Sequence, residues 1–115
     1  MVASSPIAFA QSDAGIAFEQ GRTAYTNGRF AEARDLFQKA SQTDNRNPEV
    51  FLWLGKAQYQ LGALEEAIAS LTRTLKLAPE ELYTKKMLQT LRGQLVEVET
   101  RITLIALMLK EKLYP

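Results

Sequence analysis

Apolar residues recur at helical spacing in five stretches of this 115-residue chain. In the fourth stretch, Leu64, Ala67, Ile68, Leu71 and Leu75 are spaced so that all five lie on one face of a helix. The pattern predicts an all-α chain without strands. We expect helices near residues 14–26, 30–43, 48–60, 64–77 and 80–113.

Glycine, asparagine and proline mark the ends of these stretches. Asn47 is a good N-cap and Pro48 suits the first position of a helix. Gly62 supplies the left-handed turn that ends the third helix, and Pro79 follows the end of the fourth. Asn27 and Gly28 make the corresponding turn after the first helix.

The chain repeats itself at an offset of 34 residues without an insertion. Residues 14–47 and 48–81 therefore form two equivalent units, each a pair of helices. The matched pairs are Gly21 and Gly55, Gly28 and Gly62, Phe30 and Leu64, Glu32 and Glu66, Ala33 and Ala67, Phe37 and Leu71, and Ala40 and Thr74. Small residues at matched positions allow two antiparallel helices to approach closely.

These markers resemble the tetratricopeptide repeat family, whose pattern is W-x2-L-G-x2-Y, then A-x3-F, then A and P. The second unit has Phe51-x2-Leu54-Gly55 and then Ala67-x3-Leu71. Ala24 and Gln58 depart from the family at the Tyr position. The resemblance covers residues 14–81 and implies an α-solenoid of antiparallel helix pairs, a superhelix that binds other proteins.

Composition excludes several kinds of chemistry. The chain has no Cys and no His, so thiolate or imidazole zinc sites, disulfides and Cys–His or Ser–His–Asp catalysis cannot form. A net charge of +1 argues against nucleic-acid binding, and no apolar run reaches the ~20 residues of a membrane span. We therefore expect no enzyme, no cofactor and no metal site.

The resemblance implies that the first helix of each unit lines a concave groove. An extended peptide with an acidic group suits aromatic rings beside cations. The alternative is that Arg22 and Lys56 are solvated charges and that Tyr25 and Tyr59 only pack. The groove residues implied by the resemblance are Phe18, Arg22, Tyr25 and Thr26 in the first unit and Glu49, Leu52, Lys56, Tyr59 and Gln60 in the second.

One subtype of the family clamps the C-terminal carboxylate of heat-shock chaperones with Lys and Asn side chains. The matching positions here are Phe18, Arg22 and Trp53. Two of these three lack the required polar group, so the chain does not resemble a chaperone-tail clamp. We expect a non-catalytic interaction scaffold for another protein or peptide, as one segment of a larger protein.

The last third of the chain has a different pattern, with apolar residues at alternating steps of three and four. These are Leu88, Leu91, Leu95, Val98, Ile102, Ile105 and Leu109. Residues 82–115 are interpreted as a capping helix that covers the second unit, or as a partial third repeat. Heptad spacing also fits a structural module that self-associates as a homodimer through residues 88–109. Residues 102–109 are apolar nearly all round, and burial against the preceding helices is the first expectation.

Residues 1–13 are interpreted as a disordered leader, with a signal-peptide remnant as the alternative. The segment Ala8-Phe9-Ala10 has the small-x-small form of a signal-peptidase site. No basic residue precedes it, and the apolar stretch is short. The expectation is a soluble protein, either cytoplasmic or exported.

Overall fold

Five helices make up the computed structural model, which describes residue 9 and residues 12–113. The helices are α1 (Asp13–Thr26), α2 (Phe30–Thr43), α3 (Pro48–Gln60), α4 (Leu64–Leu77) and α5 (Leu82–Leu113). The described residues contain no strand. The all-α repeat fold is confirmed, and every described helix end lies within two residues of the position that the sequence predicts.

Polar side chains begin three of the helices. The Ser12 hydroxyl accepts a hydrogen bond from the Gly15 amide at 3.0 Å, and the Asn47 side chain accepts one from the Glu49 amide at 3.0 Å. The Glu81 carboxylate accepts one from the Thr84 amide at 2.6 Å. Because Glu81 serves as the cap, α5 begins at residue 82 rather than at residue 80.

Identical turns join the two helices of each unit. Gly28 and Gly62 both have a φ of 78°, which side chains with a Cβ rarely adopt. The amides of Arg29 and Ala63 then donate to the carbonyls of Ala24 and Gln58 at 2.8 and 3.0 Å. The turns match at the 34-residue offset, so the chain reverses direction in the same way twice.

A glycine marks the closest approach within each helix pair. A Cβ at Gly21 would lie 2.7 Å from Cε1 of Phe37, and one at Gly55 would lie 3.0 Å from Cδ2 of Leu71. Phe37 and Leu71 are fully buried. Each large side chain of the second helix thus fills the space that the missing glycine side chain leaves on the first.

Two apolar clusters hold the five helices together. The first joins α1, α2 and α3 around Phe37 and Val50. The second joins α4 and the start of α5 around Leu71, Leu88 and Leu91, with Leu52 of α3 packed against it. Helix α3 contributes to both clusters and so connects the units.

Helix α5 continues well beyond the second cluster. The two earlier units turn at Gly28 and Gly62, but α5 is uninterrupted at the equivalent Val96. The expectation that residues 102–109 are buried against the preceding helices is wrong, because no other helix of the described chain reaches them. Their large apolar side chains are 52–67% exposed. None of the helices in residues 12–113 is both long enough and apolar enough to cross a membrane.

The predicted leader falls largely outside the described residues, and so do Ala8 and Ala10 of the peptidase-like segment. Phe9 is half-buried, and its ring centroid lies 5.8 Å from that of Phe18. Ser12 caps α1, and Asp13 is its first residue. These residues belong to the folded unit rather than to a leader.

The glycine contacts predict opposite effects for two substitutions to alanine. Gly21→Ala should lower the free energy of unfolding by about 1–3 kcal/mol, because the buried Phe37 ring has to move. Gly93→Ala should raise it by about 0.5–1 kcal/mol, since nothing lies within 4 Å and alanine is the better helix former. Urea denaturation measures both changes. Equal stability of the two variants would mean that α1 and α2 are not in such close contact.

Candidate functional site

One cation from each unit lies against the same tryptophan ring. The Arg22 guanidinium carbon is 5.3 Å from the centroid of Trp53, and the Lys56 ammonium nitrogen is 3.8 Å from it. Arg22 comes from α1 and Lys56 from α3, at equivalent positions 34 residues apart. Both distances fall within the range of a cation–π interaction.

Two tyrosines complete the surroundings of Lys56. The Tyr25 ring stands at 90° to Trp53 with a centroid distance of 5.4 Å. The Lys56 ammonium is 5.4 Å from the Tyr25 centroid and 5.9 Å from that of Tyr83. We call Arg22, Tyr25, Trp53, Lys56 and Tyr83 the cation–aromatic cluster. It draws its members from α1, α3 and the first turn of α5.

The two cations differ in how their charge is balanced. Arg22 donates to the Glu19 carboxylate at 3.2 Å. None of the ion pairs within residues 12–113 includes Lys56. Loss of hydration lowers the pKa of Lys56 below its usual value. The Glu49 carboxylate opposes this shift, and the positive charge of Arg22 adds to it. The cluster therefore holds a partly dehydrated positive charge that lacks an adjacent carboxylate.

A shallow cleft of about 290 Å³ lies beside Arg22. It separates the last turns of α1 from Trp53 of α3 and has a mixed polar and apolar lining. The lining residues are Glu19, Arg22, Thr23, Thr26, Asn27 and Trp53. The cleft is open to solvent rather than an enclosed cavity.

Among the other predicted groove residues, three polar side chains are exposed beside the cluster. The Thr26 hydroxyl donates to the carbonyl of Arg22 at 2.9 Å. The Gln60 amide donates to the Tyr25 hydroxyl at 3.4 Å, a contact between the units. Glu49 is exposed at the start of α3. These residues can still contact a ligand.

The apolar and aromatic residues Phe18, Leu52 and Tyr59, which were also predicted to line the groove, are buried or half-buried. Phe18 is only 6% exposed and packs at 5.8 Å against Phe37. The prediction that Phe18 lines an accessible groove is therefore wrong. Its ring belongs to the first cluster, and the Arg22 guanidinium lies over that ring. Leu52 and Tyr59 are half-buried against the second cluster. Tyr59 is thus not part of the cation–aromatic cluster around Trp53.

Trp53 and Tyr83 belong to the cluster but are not among the residues predicted to line the groove. Tyr83 lies 34 residues after Glu49, a residue that was assigned to it. Extending the repeat offset by one more unit would have found Tyr83. Trp53 was matched only to a position of the chaperone-tail clamp, and the repeat offset gave no signal for it because its equivalent in the first unit is the solvent-exposed Glu19.

The profile of the family described as "Tetratricopeptide repeat" matches residues 24–95, more than half of the chain. The chain belongs to the tetratricopeptide repeat family. Tetratricopeptide repeats are generally protein–protein interaction modules. The matched range includes four members of the cation–aromatic cluster and ends at Leu95, just before the free part of α5.

Solved structures with a similar fold are also tetratricopeptide repeat domains. The first TPR of Spaghetti (RPAP3), bound to the HSP90 peptide SRMEEVD, is 20% identical over 73% of this chain and 94% of that one, with a TM-score of 0.40. The first TPR domain of human RPAP3 is 20% identical over 76% of this chain and 96% of that one, with a TM-score of 0.44. No curated protein matches the chain.

The lowered pKa of Lys56 predicts how this tetratricopeptide repeat responds to alkaline pH. The unfolded chain retains the Lys56 proton up to the ordinary value of 10.5, whereas the folded chain releases it at lower pH. The Lys56 contribution to stability should therefore increase as pH rises through that interval. Urea denaturation at several pH values should show a steeper rise for the native chain than for Lys56→Met. Parallel profiles for the two proteins would contradict the dehydration of Lys56.

Proposed function

We propose that the chain is a non-catalytic interaction module that binds an extended, acidic segment of another protein across the cation–aromatic cluster. The observation that carries this proposal is the pair of equivalent cations on Trp53, at 5.3 and 3.8 Å from its centroid. Membership of a family of protein-binding repeats supports a macromolecular partner rather than a small substrate.

Electrostatics favour an acidic ligand. Arg22 and Lys56 repel each other, which adds to the lowering of the pKa of Lys56. A carboxylate placed near both cations relieves that repulsion and restores a hydrogen-bonding partner to the ammonium group. Exposed charge pairs contribute only about 0–1 kcal/mol each, so binding that uses both cations is weak to moderate and decreases as salt increases.

The shape of the surface favours an extended chain. The cluster passes from α1 over α3 to Tyr83 of α5, and the open cleft beside Arg22 lies next to it. Aromatic faces beside the cations provide apolar contact for the backbone and side chains of a peptide. Glu49 at the rim and Glu19 beside Arg22 both repel acidic side chains, so we expect a ligand carboxylate to lie between the two cations.

Charge reversal tests this proposal. A short labelled peptide rich in Asp and Glu should bind the native chain, and Arg22→Glu with Lys56→Glu should weaken binding at least tenfold. Lys39→Glu with Lys76→Glu is the matched control, because both lysines are exposed on the second helices of the units. Fluorescence anisotropy at several salt concentrations measures the affinity. Equal weakening in both double variants would point to a general charge effect and refute the groove.

Self-association through α5 is a second candidate function. Large apolar side chains in residues 96–109 are 43–67% exposed, and single exposed residues are ordinary whereas contiguous ones mark interfaces. The expected result is a mass that increases with protein concentration in sedimentation equilibrium. A monomer at every concentration up to the millimolar range would refute this function and leave the groove proposal unaffected.

A further inference from the structure

The free part of α5 exposes apolar side chains on most of its faces, and four of them form one continuous seam. Val98, Ile102, Ile105 and Leu109 are exposed and fall within an arc of about 60° on the helix. We define these four residues as the seam. Leu107 is similarly exposed but lies on the opposite side of the helix. No helix of the described chain covers the seam, since the contacts of α5 with α4 and α3 lie around Leu88 and Leu91, before the seam begins.

We infer that a second copy of this chain covers the seam, with the two α5 helices antiparallel around a two-fold axis between residues 103 and 104. In this arrangement Ile102 faces the partner's Ile105, and Val98 faces the partner's Leu109. Both pairings share one midpoint, so a single axis satisfies all four seam residues. The inference rests on the self-association proposed above and specifies its geometry.

Charge complementarity favours the antiparallel direction. Lys110 follows Glu99 by 11 residues, which places them about 20° apart on one flank of the seam. A two-fold axis brings that flank against itself in reverse order, so Glu99 faces the partner's Lys110 with an axial mismatch of about 3 Å. The ion pairs of residues 12–113 include neither side chain, whereas nearby Glu97 and Arg101 already pair at 2.6 Å. A parallel pair would not bring Glu99 and Lys110 together.

The length of the free helix also fits. The axis pairs Leu95 with the partner's Lys112, and Leu91 lies beyond the overlap, buried against the repeats. The helix pair therefore occupies the segment that the repeats leave free, and the two repeat regions lie towards its opposite ends. The seam is short for a coiled coil, so we expect the dimer to be weak.

Sedimentation equilibrium of the full chain tests the contact. Ile105→Asp should raise the dimer dissociation constant at least tenfold, because the new carboxylate would be buried at the axis. Leu107→Asp should change it less than about twofold, since that residue points away from the partner. Equal effects of the two substitutions would overturn the seam.

A charge swap tests the direction. Glu99→Lys and Lys110→Glu should each weaken the dimer about fivefold or more, because the two-fold axis doubles every lost pair. The double variant should return to within about twofold of the native chain, and all three effects should shrink at high salt. If both single variants weaken the dimer but the double variant does not restore it, the antiparallel geometry is overturned and self-association itself stands.

Disulfide trapping provides a second readout, since the chain has no cysteine of its own. Val98→Cys and Leu109→Cys chains of different tag lengths should form a mixed disulfide when oxidised together. Each variant alone should form little, because its cysteines lie far apart in an antiparallel pair. If disulfides form mainly between two chains of the same variant, the pair is parallel and the inference is overturned.

Discussion

The close approach of two helices at a glycine determines most of this structure. Gly21 lets α1 rest directly on the ring of Phe37, and that ring packs in turn against Trp53 at 6.0 Å. The contact between α1 and α2 thus also fixes the position of the Trp53 ring, on which both cations lie. A shift of α1 away from α2 would move Arg22 relative to Lys56. The packing of α1 against α2 therefore determines the distance between the two cations.

Aromatic faces, rather than carboxylates, hold Lys56 in place. Its ammonium lies within 6 Å of three ring centroids, while Glu49 acts only through space. A ring attracts a cation without neutralising it. The charge therefore remains available to a ligand although the side chain is already ordered, which reduces the entropy that binding has to overcome. Salt-bridged lysines on the same scaffold would lack this property.

Local signals predicted the helices well because each helix end has its own chemical cause. Caps such as Ser12 and Asn47 and the turn glycines act within a few residues. The groove was only partly predictable, since equivalent positions do not have equivalent surroundings. Phe18 is covered because Phe9 packs over the exposed end of the first unit, where no preceding repeat exists among the described residues. The apolar pattern of α5 required a covering surface, but periodicity cannot say which molecule supplies it.

The unbroken hydrogen bonding of α5 gives the molecule a fixed internal length. Tyr83 and Leu109 are 26 residues apart on one helix, a separation of about 39 Å at 1.5 Å per residue. A helix of this length bends only gently. A partner bound at Tyr83 and a partner bound at Leu109 are thus held at a fixed distance from each other by the helix. Inserting or deleting seven residues after Leu95, about two turns, would change that spacing by about 10 Å while rotating one end relative to the other by only about 20°.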